Sequence, residues 1–389
     1  MQDSELLFGL DHFLEQADKF SHVRFALVTN NAATTRGGKL SRVALIEKGF
    51  HLTKIFSPEH GLTAHGDDGA FQKNLVDPVT ALPVISLYGD RLKPLERDLS
   101  DVDAVLLDVP DVGCRFYTYL WTMTYVMEVC AECDKPLFIL DRPNPAGGDL
   151  YLAEGSMLDE ENCSSFIGRW SMPVRHNCTL GELATYFASS RVQHLDLRIF
   201  KVRNWDRSQC TTRPSWLFIP PSPAITDMET TLLYPGIGLL EGINVNEGRG
   251  TKFPFKVFGA PWMDASQVHD AFEGLHLPGV SSKACIYTPT SGLYQSELCH
   301  GLELTVSDPV VFRPVHTGMK LIEIIASLYP GYCAERLYKT LANPTGRGHL
   351  DRLTGVFQSF ETIRNNSLEY SDSAASDWQE IMKPFLLYP

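Results

Sequence analysis

Val102-Asp-Ala-Val-Leu-Leu-Asp108-Val-Pro-Asp111-Val-Gly113 is an apolar run that stops abruptly on two carboxylates, a proline and a glycine. Residues 116–132 follow it with apolar side chains at helical spacing. A buried run, a polar turn and a helix form the repeating unit of a parallel sheet covered on both faces, whose strands read as nearly continuous Val, Ile and Leu. Working outward, residues 23–29, 52–57, 83–87 and 136–141 read as further strands and 40–48 as a helix. Thr179 followed three residues later by Glu182 has the form of a capping box, opening a helix over 179–189, and an alternating strand follows at 195–201. The fold class is therefore α/β with a mostly parallel sheet.

A chain of 389 residues is too long for one comfortable core. Composition changes near residue 230, after Pro214, Pro220, Pro221 and Pro223, where Pro235, Gly236, Gly238, Gly242, Gly248 and Gly250 predict a long irregular stretch. Two domains are expected, 1–230 and 231–389. The second reads as a smaller α+β unit, with helices at 264–274, 318–328 and 376–385 and strands near 280–287 and 301–307.

Charge narrows the function. With 47 acidic against 34 basic residues the formal net charge is −13, and no basic stripe interrupts it, so nucleic acid is excluded as an expected partner. No apolar run approaches the roughly 18 residues of a membrane span. Leu6, Leu7, Leu10, Phe13 and Leu14 have helical spacing, but Glu5 and Asp11 stand among them, which reads as a surface helix and not an export signal. The chain as written is expected to be cytoplasmic, and exported if a leader precedes it. Nine scattered cysteines fit a reduced compartment, and Cys130-x-x-Cys133 lacks the second pair a zinc site needs, so no metal is expected. Gly236-Ile-Gly238 opens like a dinucleotide fingerprint, but its sixth position is Glu241, and neither a P-loop nor a nucleophile elbow is present, so no cofactor is expected.

In an open parallel sheet, ligands bind beyond the carboxyl ends of the strands. Those ends read Thr29-Asn30-Asn31, Ser57-Pro58-Glu59-His60-Gly61, Ser86-Leu87-Tyr88-Gly89, Asp108 through Gly113, and Asp141-Arg142-Pro143-Asn144-Pro145. Turn-forming residues are common at any strand end. Glu59 and Arg142 stand out because prolines stiffen the backbone that aims their long ionisable side chains. Asp108 and Asp111 are either a carboxylate pair with divergent pKa values or, for Asp111, a cap on the following helix. His60, Arg175 and His176 are ligand contacts or structural hydrogen-bonders. Glu241, Asn244, Asn246, Glu247 and Arg249, held among three glycines, occupy a crossing well placed to close a cleft.

Together Ser57-Pro-Glu-His-Gly61, Asp108 through Tyr119, Leu140-Asp-Arg-Pro-Asn-Pro145, Pro173-Val-Arg-His176, Thr179-Leu-Gly-Glu-Leu-Ala184, Glu229-Thr-Thr and Glu241 through Thr251 resemble the NamZ-type exo-β-N-acetylmuramidases over nearly the whole chain. That resemblance implies a Rossmann-like catalytic domain joined to a smaller C-terminal domain, with the sugar in the cleft between them. It implies release of N-acetylmuramic acid from the non-reducing end of peptidoglycan-derived glycans. Carried onto this chain, it makes Glu59, Asp108, Asp111 and Glu241 candidate catalytic groups. The candidate binding residues are Asn30, His60, Arg115, Tyr117, Asp141, Arg142, Asn144, Arg175, His176, Asn244, Glu247 and Arg249. Departures stand at Asn31-Ala32-Ala33, Pro110, Ile243, Asn246 and Lys252-Phe253, and bear on substrate preference.

Glycosidic cleavage needs an acid for the leaving oxygen and a second group at the anomeric carbon. Glu59 is the expected acid. The second role is open among Asp108, Asp111, Asp141, Glu241 and the substrate's own acetamido oxygen. An arginine, Arg249 or Arg175, is the expected partner of the lactyl carboxylate. A sugar-binding protein with the same cleft and no catalysis is the alternative.

Overall fold

The computed structural model describes residues 5–208, 210, 214–341, 343–365 and 373–389. The first half runs α1 (Gly9–Leu14), α2 (Ala17–Phe20), β1 (Arg24–Thr29), α3 (Ser41–Glu47), β2 (His51–Ser57), β3 (Leu75–Val76), β4 (Pro83–Ser86) and α4 (Glu96–Leu99). It continues through β5 (Ala104–Asp108), α5 (Tyr119–Glu132), β6 (Leu137–Leu140), α6 (Glu160–Cys163), α7 (Leu180–Ser190) and β7 (Leu197–Phe200). The second half holds α8 (Met228–Ile237), β8 (Val257–Ala260), α9 (Ala265–Glu273), β9 (Val280–Tyr287), β10 (Cys299–Val306), α10 (Pro314–Leu328), α11 (His349–Thr354), α12 (Ser359–Arg364) and α13 (Ser373–Met382).

Seven strands form one sheet in the order β3-β4-β2-β1-β5-β6-β7, parallel except for β3 against β4. Successive side chains of a strand point to opposite faces, and here both faces are dry. Phe25 and Leu27 of β1 join Leu10, Phe13 and Leu45 in one core, whereas Ala26 and Val28 join the larger core around α5. That double burial is why the central strands read as unbroken apolar runs. The expected surface helix at the start is in fact α1 laid on the sheet: Phe13 is buried, stacked on Phe50 at 4.6 Å and edge-on to Phe200 at 4.6 Å. Thr179 and Glu182 do form the reciprocal capping box of α7. The strand order reverses between β2 and β5 on either side of β1, so a crevice opens at their carboxyl ends.

The smaller sheet is antiparallel, in the order β8-β10-β9. Two elements here escape a pattern reading. The stretch expected to be irregular from Pro235 begins instead as α8, which contains Pro235; Asp227 caps it by accepting the Thr230 N–H at 2.9 Å, and burial on nearly every side holds it. Packing overrides the proline's missing donor. Gly236 is required because α10 crosses there: a Cβ would lie 2.0 Å from the Pro314 carbonyl oxygen, and one on Gly318 2.2 Å from that of Gly236. The last residues leave the second half altogether. Trp378 Nε1 donates to the His176 carbonyl at 2.8 Å, and Tyr388 packs on Trp205 of the first half with ring centroids 5.0 Å apart. No helix among the described residues is long and apolar enough to cross a membrane.

Gly236→Ala is expected to force α8 and α10 apart and to cost about 1–3 kcal/mol or more, as overpacking of a tight core does. Urea denaturation measures this, and unchanged stability would show that the helices have slack at their crossing.

Candidate active site

Between the halves lies a partly open cavity, lined from the first by Glu59, His60, Asp68, Tyr88, Tyr117 and Thr118 and from the second by Glu241, Arg249, Tyr338 and His349, among others.

Glu59 reaches the cavity from the turn after β2. His60 and Gly61 are both left-handed there, at φ 65 and 69, so the chain doubles back and Gly61 N–H meets the Pro58 carbonyl at 3.0 Å. The Glu59 carboxyl is 4% exposed. Thr118 Oγ1 donates to Oε2 at 2.7 Å and the Gly69 N–H to Oε1 at 2.9 Å. Burial, then the charge of Asp68, push its pKa above the ordinary glutamate value, against the pull of His60, Thr118 and Gly69.

Asp68 sits on the loop that supplies the Gly69 donor. Its Oδ1 faces Arg249 Nη2 at 3.5 Å, its Oδ2 accepts the Tyr338 hydroxyl, and 30% of its side chain is exposed. Burial works to raise its pKa, but Arg249, His60 and the Tyr338 hydroxyl outweigh that, leaving it below the ordinary aspartate value. Two carboxyls on one hydrogen-bonded loop are thus driven apart, one toward its acid form and one toward its anion.

Arg249 is the hub. Its Nη2 lies 2.8 Å from Glu241 Oε1 and its Nε 3.3 Å from Glu247 Oε1, while Arg336 takes the other Glu247 oxygen at 3.2 Å. Gly248 and Gly250 on either side are left-handed, at φ 84 and 80, and a Cβ on them would lie 2.6 Å from Phe253 O and 2.4 Å from Ser291 O. No other residue pair would hold that arginine in this turn without backbone movement. Burial, with Asp68 and Glu247 nearby, raises the Glu241 carboxyl to about 7 despite Arg249. His349 stacks on Tyr338 at 4.4 Å, and burial holds its imidazole neutral, with its pKa lowered to about 3 and both ring nitrogens lacking a hydrogen-bond partner among the described residues.

Of the candidates drawn from sequence, Glu59, His60, Tyr117, Glu241 and Arg249 line this cavity. Glu247 stands behind it, bonded to Arg249 and Arg336. The others lie elsewhere. Asp108 is fully buried in a bidentate pair with Arg142, at 2.6 and 3.0 Å. Asp111 neither faces the cavity nor caps α5; it accepts the Gly113 N–H at 3.0 Å and lies 3.2 Å from His176 Nε2. Asp141 accepts Thr179 Oγ1 at 2.7 Å and the Gly181 N–H at 2.9 Å, and burial raises its carboxyl to about 6. Asn30 donates to the Tyr119 hydroxyl, Asn144 to the Cys178 carbonyl, Asn244 to that of Tyr332, and Arg175 to those of Ala146 and Phe312. Arg115, fully buried, spans the halves by donating to Ser156 O, Met172 O and Leu353 O at 2.8, 2.7 and 2.9 Å. Pro110, Ile243, Asn246 and Lys252-Phe253 do not line the cavity.

Asp68, Tyr338 and His349 were not singled out from sequence. The one available signal for Asp68 was an acidic cluster, Asp67-Asp68, shortly after the Pro-Glu-His-Gly turn.

A carboxyl held toward its acid form and a carboxylate held toward its anion, facing one cavity on a two-half α/β scaffold, are the groups a glycoside hydrolase needs. Comparison with known proteins agrees. The profile described as exo-beta-N-acetylmuramidase NamZ, N-terminal, matches residues 25–229, and its C-terminal counterpart matches 232–388. The chain belongs to the NamZ exo-β-N-acetylmuramidase family. Peptidoglycan beta-N-acetylmuramidase NamZ of Bacillus subtilis (strain 168) is 40% identical over 324 residues, 83% of this chain and 78% of that protein. Two crystal structures of DUF1343 family proteins from Bacteroides fragilis NCTC 9343 superpose with TM-scores of 0.86 and 0.74, at 27% and 28% identity, each over 99% of both chains.

Arg142→Met would leave Asp108 buried without its partner, so the unfolding free energy should fall by about 3–5 kcal/mol. Urea denaturation reads this directly; a variant as stable as the wild type, with a raised KM, would instead make Arg142 a substrate contact.

Proposed function

We propose that this chain is an exo-acting glycosidase that releases N-acetylmuramic acid from the non-reducing end of peptidoglycan-derived glycans, with Glu59 as the general acid. The observation that carries the reading is the enclosure of the Glu59 carboxyl, at the seam of the halves, within reach of Asp68 on its own loop. The family relationship and the activity named for the Bacillus subtilis relative support the substrate class.

In this reading Glu59 gives its proton to the glycosidic oxygen as the bond to the anomeric carbon breaks, and the electron pair leaves with that oxygen. Asp68 remains an anion and stabilises the positive charge that develops at the anomeric carbon; water then bonds that carbon through its oxygen, and the proton it gives up restores, by way of solvent, the Glu59 acid. Glu241, tied to Arg249, fixes the guanidinium on the opposite wall. The second role was open among Asp108, Asp111, Asp141, Glu241 and the substrate's own acetamido oxygen; the contacts of the three aspartates outside the cavity and the tie of Glu241 to Arg249 favour Asp68 as the protein's contribution.

The pH dependence follows from the directions of the two shifts. Glu59 must be protonated, and its raised pKa keeps activity present below that value and lost as pH rises through it. Asp68 must be ionised, and its lowered pKa keeps activity present above that value and lost as pH falls through it. A bell-shaped kcat/KM profile is expected. Glu59→Gln should lower kcat by roughly 10²–10⁴-fold and remove the alkaline limb, measured on a chromogenic β-N-acetylmuramide; near-normal turnover would refute the assignment. Asp68→Asn should lower kcat, remove the acid limb and move the alkaline limb to lower pH, because one of the charges that raises Glu59 is gone. An unmoved alkaline limb would separate the two groups.

A further inference from the structure

We propose that Arg352 is the residue that binds the 3-O-lactyl carboxylate of the substrate and so selects muramic acid over glucosamine; this rests on the muramidase reading above. The cavity is an unwelcoming place for an anion. Asp68 lines it, Glu247 stands behind Arg249, and the chain as a whole carries a net charge of −13. A monoanionic sugar therefore needs a cation that the protein's own carboxylates have not already neutralised.

Arg249 does not meet that need, because Asp68, Glu241 and Glu247 surround it. Arg175 lies outside the cavity with its guanidinium against Glu154 and backbone carbonyls. Arg352 is different: it lines the cavity, and among the described residues no carboxylate lies within ion-pair distance of it. The acid next to it in sequence, Asp351, is committed to the start of α12, where it accepts the N–H groups of Gln358 and Ser359 and the Ser359 hydroxyl. One arm of Arg352 donates to the Arg347 carbonyl, which fixes the side chain and leaves the rest of its fork of donors to a ligand.

Its position is built rather than incidental. α11 is tied to the first half by Arg115, which donates to the Leu353 carbonyl at 2.9 Å. His349, which also lines the cavity, precedes Arg352 by three residues on the same helical face, and its two buried ring nitrogens have no hydrogen-bond partner among the described residues. A neutral imidazole able to meet a sugar hydroxyl and a guanidinium able to meet a carboxylate thus border the same cavity as Glu59 from one turn of α11.

The test uses the full chain and two probes, a chromogenic β-N-acetylmuramide with a free lactyl carboxylate and its lactyl methyl ester. The readout is the ratio of kcat/KM for the acid over the ester within each protein, which cancels any difference in the folded fraction. Hydrogen bonds to charged groups correspond to roughly ten- to hundredfold in binding, so Arg352→Met should reduce the ratio by roughly that factor, chiefly through KM for the acid. Arg352→Lys should restore part of it by keeping the charge without the fork. A ratio unchanged in Arg352→Met, or a wild-type ratio near one, would overturn the assignment. Failure of the wild type to cleave either probe would overturn the muramidase reading itself, and the assignment with it.

Discussion

The carboxylates of Glu59, Asp68, Glu241 and Glu247 converge on one cavity between the halves, and among the described residues the cations that ion-pair with this group are Arg249 and Arg336. Like charges at short range in a poorly hydrated space cannot all ionise. The surplus favours protonation, and burial is the largest cause where it falls. Glu59 and Glu241 are raised, while Asp68, partly exposed and facing both Arg249 and the Tyr338 hydroxyl, is lowered. The division of labour needed for glycoside cleavage, one acid and one anion, follows from that imbalance.

The fold serves to keep the imbalance in place. A parallel sheet buried on both faces delivers the Pro-Glu-His-Gly turn and the start of α5 to the same edge, so that Thr118 and Gly69 hold the Glu59 carboxyl from two sides. The second half brings Arg249 on a turn that only flanking glycines permit. Arg115, reaching from one half to the Leu353 carbonyl of the other, and the C-terminal residues returning to His176 and Trp205, fasten the halves around the cavity. The Arg115 and Trp378 ties are buried polar contacts, the kind whose partial loss leaves an unsatisfied group and is strongly resisted.

The sheet was legible because burial on both faces forces an unbroken apolar run, and residues 102–109 or 136–141 admit little else. α8 was not, because Pro235 and Gly236 carry the local marks of a loop while their conformation is set by α10 crossing at Gly318. The same division governs the site. Glu59 and Arg249 announce themselves through stiff or glycine-bound local sequence, whereas Asp68, Tyr338, His349 and Arg352 come from loops and a short helix whose meeting is a tertiary event. Conversely Asp108, Asp141, Arg142 and Arg175 read from the sequence as catalytic or binding groups. In the folded chain those polar strand ends bond to one another and to backbone, because a buried charge must find a partner.

The central claim is that enclosure and the neighbouring Asp68 anion keep a proton on Glu59. A side-chain carboxyl ¹³C NMR titration of the free protein, with the Glu59 resonance assigned by its loss in the Gln variant, measures this without reference to any substrate. The expected result is a midpoint above that of an ordinary glutamate, moving down when Asp68 is replaced by Asn. A Glu59 midpoint at or below the ordinary value, indifferent to Asp68, would contradict the claim.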